Sequence, residues 1–152
     1  MFKLSKKSLS ILESVESPLI EVVKYAITIT RVDFSVIEGY RTIERQRQLV
    51  AAGASQTMKS KHIERKAVDL AAFVEDRISW ELNLYDDIAD AMKAAAMDLK
   101  IPIVWGGAWN IPSIAEWNGT MQDAMNFYID TRRSEGKKPF IDGPHFQLAD
   151  DV

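Results

Sequence analysis

The chain has 152 residues, 47% of them hydrophobic and 27% charged, with a formal net charge of −3. That length supports one apolar core and leaves little room for two, so residues 1–152 are expected to form a single domain. The charges form no basic stripe, which argues against nucleic acid as a partner, and the absence of cysteine excludes disulfides, thiolate metal sites and cysteine nucleophiles.

The N-terminal segment has early lysines, but Ser8, Ser10, Glu13 and Glu16 interrupt its apolar stretch before it reaches the length of a signal sequence. No run approaches the ~18 apolar residues of a membrane span. A cytoplasmic protein with no signal peptide and no stable membrane association is expected. Residues 17–30 place Leu19, Val22, Val23, Ala26 and Ile27 at helical spacing, with Ser17 as N-cap and Pro18 in the first helical position. Residues 33–40 suit a short strand ending in a turn, and Thr42 then caps a helix that runs to Gly53 with Ile43, Leu49 and Val50 inward.

Residues 56–65 are polar and aperiodic, so they read as a loop, and 66–74 read as a buried strand with one acid, Asp69, inside it. The segment 81–99 sets Leu82, Ile88, Ala91, Met92, Ala95, Ala96 and Leu99 on one helical face. A strand at 101–105 stops at Gly106-Gly107, a helix follows at 121–133 with Met125, Phe127, Tyr128 and Ile129 in its pattern, and a last strand covers 145–148. Short strands between helices, without a regular βαβ repeat, predict an α+β domain with a small antiparallel sheet and flanking helices.

The chain contains two histidines, and each lies within a few residues of a carboxylate: His62 with Asp69, and His145 with Asp142. A catalytic zinc typically takes three protein ligands and leaves its fourth position to water, so two histidines and one aspartate suffice. A lone histidine is more often an ordinary surface or core residue. Asp69 shifts that balance, because an acid between Ala67, Val68, Leu70 and Ala71 needs a partner cation, which a metal, an arginine or edge exposure would supply. Asp142-Gly143-Pro144-His145 reads as a turn that brings carboxylate and imidazole to one side, or as an ordinary turn opened by aspartate. Arg41 stands between strand and helix, where it projects into a cleft or lies on the surface. Trp105 and Trp109 are expected in the core, and Glu64 on a solvated loop.

Ser60-Lys61-His62-Ile63-Glu64-Arg65-Lys66-Ala67-Val68-Asp69 resembles the S-x-H-x-x-G-x-A-x-D motif of the D-alanyl-D-alanine and L-alanyl-D-glutamate metallopeptidases. Asp142-Gly143-Pro144-His145-Phe146-Gln147-Leu148 resembles their second motif, and Glu38-Gly39-Tyr40-Arg41-Thr42 the G-Y-R-[ST] segment before them. The resemblance implies a fold shared with the Hedgehog signalling domain, zinc (Zn2+) held by His62, Asp69 and His145, Asp142 as general base and Arg41 as oxyanion stabiliser. Among the subgroups, the Asp142-x-x-His145 form and the small size look most like phage endolysins that cut the L-alanyl-D-glutamate bond of the peptidoglycan stem peptide. Such an enzyme is expected to be a monomer held in the host cytoplasm until its release to the periplasm and cell wall. A D-alanyl-D-alanine carboxypeptidase or dipeptidase, and a non-catalytic Hedgehog-like zinc module, are the alternatives. Two positions depart from the pattern. Arg65 replaces a turn glycine and puts a cation near the expected cleft, and Ala108 replaces an acid that would hydrogen-bond a ligand.

Overall fold

The computed structural model describes residues 1–150. In chain order the elements are α1 (Lys6–Leu12), α2 (Ser17–Ile29), β1 (Phe34–Glu38), α3 (Ile43–Ala51), β2 (Ala67–Val74), β3 (Arg77–Ser79), α4 (Leu82–Leu99), β4 (Ile103–Trp105), a short 3-10 turn (Ile114–Glu116), α5 (Met121–Ser134) and β5 (His145–Leu148). The strands form one antiparallel sheet in the order β1-β2-β5-β4, with β3 paired to the end of β2. This is the expected α+β architecture.

Strand alternation decides which face of the sheet becomes core. Val68, Leu70 and Ala72 of β2, Phe34 and Val36 of β1, and Phe146 and Leu148 of β5 join one apolar cluster with the inner faces of α2 and α4. Asp69, His145 and Gln147, offset by one residue, therefore face away from it. On α2, Leu19, Val22, Val23, Ala26 and Ile27 are all buried, as their spacing predicts. Ile88, Ala91, Met92, Ala95 and Ala96 do the same on α4. Each fully buried large aliphatic side chain contributes roughly 1.5–3 kcal/mol.

Several local expectations are corrected. Glu16, not Ser17, is the N-cap of α2, and Pro18 sits in the first turn, where its missing N–H costs nothing. Leu82 on α4 and Phe127 on α5 are exposed; Phe127 packs beside Trp117 instead of the core. Thr42 caps α3 as expected and Gly53 ends it at φ 78°. Yet the residue α3 buries completely is Gln46, while Ile43 is 53% exposed, because this helix covers polar groups, among them the Arg41 guanidinium.

Two elements lie outside the sequence expectations. In α1, Ser5 Oγ caps the helix by accepting from Ser8 N at 3.0 Å. Ser8 and, just past the helix, Ser14 finish the edge of the sheet: Val36 N donates to Ser8 Oγ at 3.0 Å and Tyr40 N to Ser14 Oγ at 2.9 Å. The β2–β3 hairpin turns through Glu75 and Asp76, at φ 52° and 64°, without the glycine that usually marks such a turn. Tyr85 of α4 secures it, its hydroxyl accepting from Ala72 N at 3.1 Å and donating to Ser79 O at 2.8 Å.

One buried group works against the fold. Asp86 of α4 is 8% exposed, and its Oδ1 has no hydrogen-bond partner among the described residues. Burial, reinforced by the charges of Asp90 and Asp87, pushes its carboxyl up to about 6 from 3.8. Between those values the folded chain holds a proton that the unfolded chain has released, so stability falls as pH rises through that window and the cost is complete above about 6. Asp86→Asn is expected to gain on the order of 1 kcal/mol at pH 7, a rise of about 2–4 °C in Tm, and to flatten the pH 4–6 slope. Thermal melts across that range check it; an unchanged slope in the variant would refute the assignment.

Candidate metal centre and its cleft

A single row of residues crosses the sheet on the face opposite the core. Glu38 of β1 pairs with Asp69 of β2, and Asp69 pairs with His145 of β5. A bulge sets this register: Val36 pairs with Leu70, but Glu38 pairs with Asp69, leaving Ile37 as the extra residue. Two residues beyond the buried Val36, Glu38 would point into the core in a regular strand. The bulge turns it to the polar face instead.

His62 reaches the row from the loop between α3 and β2, where its N–H donates to Ser60 Oγ at 3.2 Å. The turn that follows passes through Arg65 at φ 63°, a conformation that favours glycine and costs a side chain about 1–2 kcal/mol. Three contacts offset that cost: Arg65 donates from Nη1 to Ser14 O at 2.9 Å, its guanidinium lies 4.0 Å from the Tyr40 ring centroid, and its carbonyl accepts from Glu16 N at 2.9 Å. The tight turn survives without its glycine. Arg65 thus reaches toward α1 and does not line the cleft, contrary to the expectation of a cation there.

Each imidazole uses one nitrogen to fix its orientation and turns the other to Asp69. His62 Nδ1 donates to Gly39 O at 2.8 Å, and its Nε2 stands 3.2 Å from Asp69 Oδ1. His145 Nε2 donates to Gln147 Oε1 at 2.8 Å, and its Nδ1 stands 3.3 Å from the same Asp69 oxygen. Gln147, two residues along β5 and on the same face, supplies the hydrogen bond that Ala108 cannot. The ligand atoms of His62, Asp69 and His145 all lie within 4.8 Å of one another. Atoms about 2.0–2.1 Å from a tetrahedral metal stand roughly 3.3–3.4 Å apart, close to the spacings found. A neutral imidazole has a single N–H, already committed here to Gly39 or Gln147, so the nitrogens aimed at Asp69 present lone pairs. Lone pairs and a carboxylate facing one point make a donor set that could hold a metal ion.

The electrostatics agree. Burial raises the Asp69 carboxyl, but the two imidazoles that face it, His145 foremost, outweigh that and hold the group well below the usual carboxylate range. Arg41 Nη2, 3.8 Å from Asp69 Oδ2, adds positive charge nearby. Asp142 moves the opposite way: burial, then the neighbouring Asp69 charge, raises it.

Asp142 is placed by β4 and the turn before β5. Its N–H donates to Gly106 O at 2.8 Å, His145 N donates to Asp142 O at 3.1 Å, and the Trp105 indole donates to Gly143 O at 2.8 Å. A Cβ on Gly106 would lie 2.2 Å from Asp142 O, so this approach requires glycine. Trp105 is core as expected. Trp109 is not: it lines the cleft, with its ring centroid 5.2 Å from that of His145. Glu64 is an exposed loop acid as expected, 3.6 Å from Lys61 Nζ.

The cleft, about 710 Å³, contains all five predicted site residues: His62, Asp69 and His145 together, with Asp142 and Arg41 beside them. Arg41 is buried rather than on the surface. Its guanidinium donates from Nε and Nη2 to the two Glu38 carboxylate oxygens, both at 2.7 Å, and from Nη1 to Gln46 Oε1 at 2.6 Å. Glu38, Gln46 and Gln147 are the site residues that sequence reasoning missed. A glutamine in phase with Ile43 and Val50 of α3, and another two residues after His145, were the available signals; the Glu38 bulge leaves none.

Among the described residues no helix is long and apolar enough to cross a membrane. The crystal structure of the Serratia marcescens L-Ala D-Glu endopeptidase ChiX is similar to this one, with a TM-score of 0.71 and 34% identity over 97% of this chain and 90% of its own. The L-alanyl-D-glutamate peptidase of Escherichia phage T5 is 32% identical, covering 97% of this chain and 98% of its own. The family model for phage L-alanyl-D-glutamate peptidases matches residues 1–149, and the chain belongs to that family.

Proposed function

We propose that the protein is a zinc-dependent endopeptidase that hydrolyses the L-alanyl-D-glutamate bond of the peptidoglycan stem peptide. The observation that carries this reading is the convergence of His62 Nε2, His145 Nδ1 and an Asp69 carboxylate kept ionised on one face of the sheet. Two imidazoles and a carboxylate match the donor set of a catalytic zinc site with one open position. Bound there, zinc would supply Lewis acidity toward water and the scissile carbonyl.

The remaining steps belong to the chain. Asp142 takes the proton of the attacking water and returns it to the leaving amine; its raised carboxyl suits a group that must both accept and give up a proton. Arg41, 3.8 Å from Asp69, brings its positive field beside the carbonyl oxygen as charge develops. Trp109 and Phe140, their ring centroids 6.3 Å apart, give the peptide an apolar wall. A buried carboxylate such as Asp142, with no place among the ligands, has a use in catalysis and none in a purely structural zinc module. Residues 1–152 act on this reading as one catalytic domain, a monomer made in the host cytoplasm that meets peptidoglycan once the membrane barrier has been opened.

The purified protein is expected to carry about one zinc per chain. Asp142→Ala should keep the metal and the fold while turnover drops roughly 100-fold or more. Metal analysis beside steady-state kinetics checks both, and near-normal turnover in the variant would reduce Asp142 to a turn residue. In digests of purified peptidoglycan, mass spectrometry should find new L-alanine C-termini and new D-glutamate N-termini, with terminal D-alanine retained. Release of single D-alanine residues, with the L-alanyl-D-glutamate link intact, would make the enzyme a carboxypeptidase.

A further inference from the structure

We propose that Lys59 reads the free α-carboxylate of the D-glutamate residue on the leaving side of the scissile bond, and so determines specificity in the cleft. The inference rests on the endopeptidase reading above and extends it to substrate recognition. In the stem peptide D-glutamate continues through its γ-carboxyl group. Its α-carboxylate therefore remains free, one carbon from the scissile nitrogen. Any productive pose carries that anion into a cleft that already holds the acids Glu38, Asp69 and Asp142. A cation must meet it there.

Three cations line the cleft: Arg41, Lys59 and Lys61. The Arg41 guanidinium is taken by both oxygens of Glu38. Lys61 Nζ lies 2.9 Å from Asp150 and 3.6 Å from Glu64. Lys59 has no acidic partner among the described residues. Asp69 and Asp142 together would balance the two positive charges of a bound zinc. Glu38 is paired with Arg41 and Lys61 with two acids, so Lys59 is the cleft cation left to meet the carboxylate of the substrate.

The loop also holds Lys59 in place. Its N–H donates to Thr57 Oγ1 at 2.9 Å, while Gln46 Nε2, fully buried, donates to Thr57 O at 2.5 Å and to Ser55 Oγ at 2.8 Å. On its other side, the Oγ of the adjacent Ser60 accepts from His62 N at 3.2 Å and Arg41 Nη1 at 3.4 Å. The backbone that carries Lys59 is thus anchored between the helix that clamps Arg41 and the turn that presents His62. Trp109 and Phe140 form the other wall, which carries no cation; the Trp109 indole N–H is unpartnered among the described residues but is itself buried and neutral. The glutamyl half of the bond accordingly lies along the 55–61 wall and the alanyl methyl against the aromatic wall.

The test uses the full-length zinc-loaded enzyme and two synthetic stem peptides that differ only in carrying an α-carboxylate or an α-carboxamide on the D-glutamyl residue. Wild type is expected to prefer the carboxylate by about tenfold in kcat/KM, chiefly through KM, with the preference shrinking as salt is raised. Lys59→Met should bring the ratio to about unity, and Lys59→Arg should restore most of it. A ratio in Lys59→Met equal to that of wild type would overturn the proposal, as would equal wild-type rates on the two peptides. Failure of the wild type to cut either peptide at this bond takes down the endopeptidase reading, and this inference with it.

Discussion

Asp69 sits on an inner strand of the sheet, between Val68 and Leu70 and backed by the apolar core, where burying an isolated ionised carboxylate costs several kcal/mol. Much of the surrounding structure offsets that cost. Its strand neighbours bring a histidine on one side and a glutamate on the other, and the glutamate in turn holds an arginine within 3.8 Å. His62 arrives from a separate loop, fixed by the Gly39 carbonyl. With their other nitrogens committed to Gly39 and Gln147, the two imidazoles turn neutral-form lone pairs toward the Asp69 carboxylate, a donor set compatible with a metal ion.

A sheet suits this task because cross-strand pairs fix side-chain separation more rigidly than loops do. Asp69 and His145 are direct partners in the ladder, so the separation of their ligand atoms follows from the register. The same register places Phe146, next to His145, in the core beside Trp105, with ring centroids 6.3 Å apart. Trp105 then donates to the carbonyl of Gly143 and steadies the turn that carries Asp142. One packing contact in the core is thereby connected to a ligand through β5 and to the proposed base through the turn. Substitutions at Phe146 or Trp105 would be felt in the cleft without touching it.

The cluster of His62, Asp69 and His145 was legible in the sequence because the chemistry of those residues is local and costly. Two histidines, an acid inside an apolar strand, and an Asp-Gly-Pro-His turn each stand out against a simple background. The main helices were legible because α2 and α4 bury regular apolar stripes. What supports the site was harder to read. Glu38 depends on a bulge, which is an event of pairing and leaves no periodicity in a single strand. Gln46 was hidden by the assumption that Ile43 and its neighbours face inward, whereas α3 covers a guanidinium rather than a core. The β2–β3 hairpin turns on Glu75 and Asp76 without glycine, and α1 carries a buried serine, Ser8, because that hydroxyl accepts from the edge of the sheet.

The two departures from the family pattern show which features the site can exchange. At Arg65 the glycine is gone, but the left-handed backbone it served is kept, stabilised by a carbonyl acceptor and an aromatic ring that only a long cationic side chain could reach. At Ala108 the acid is gone, and Gln147, two residues along the strand from His145, holds the ring nitrogen instead. A neutral amide in that place leaves the imidazole less basic than a carboxylate partner would. In both cases the geometry of the ligand is retained while the residue that enforces it changes. The Gly106 contact with Asp142 admits no such exchange, since a side chain there would occupy the space of the Asp142 carbonyl itself. The backbone approach that positions the proposed base is therefore a stricter requirement on this chain than either hydrogen bond behind its ligands.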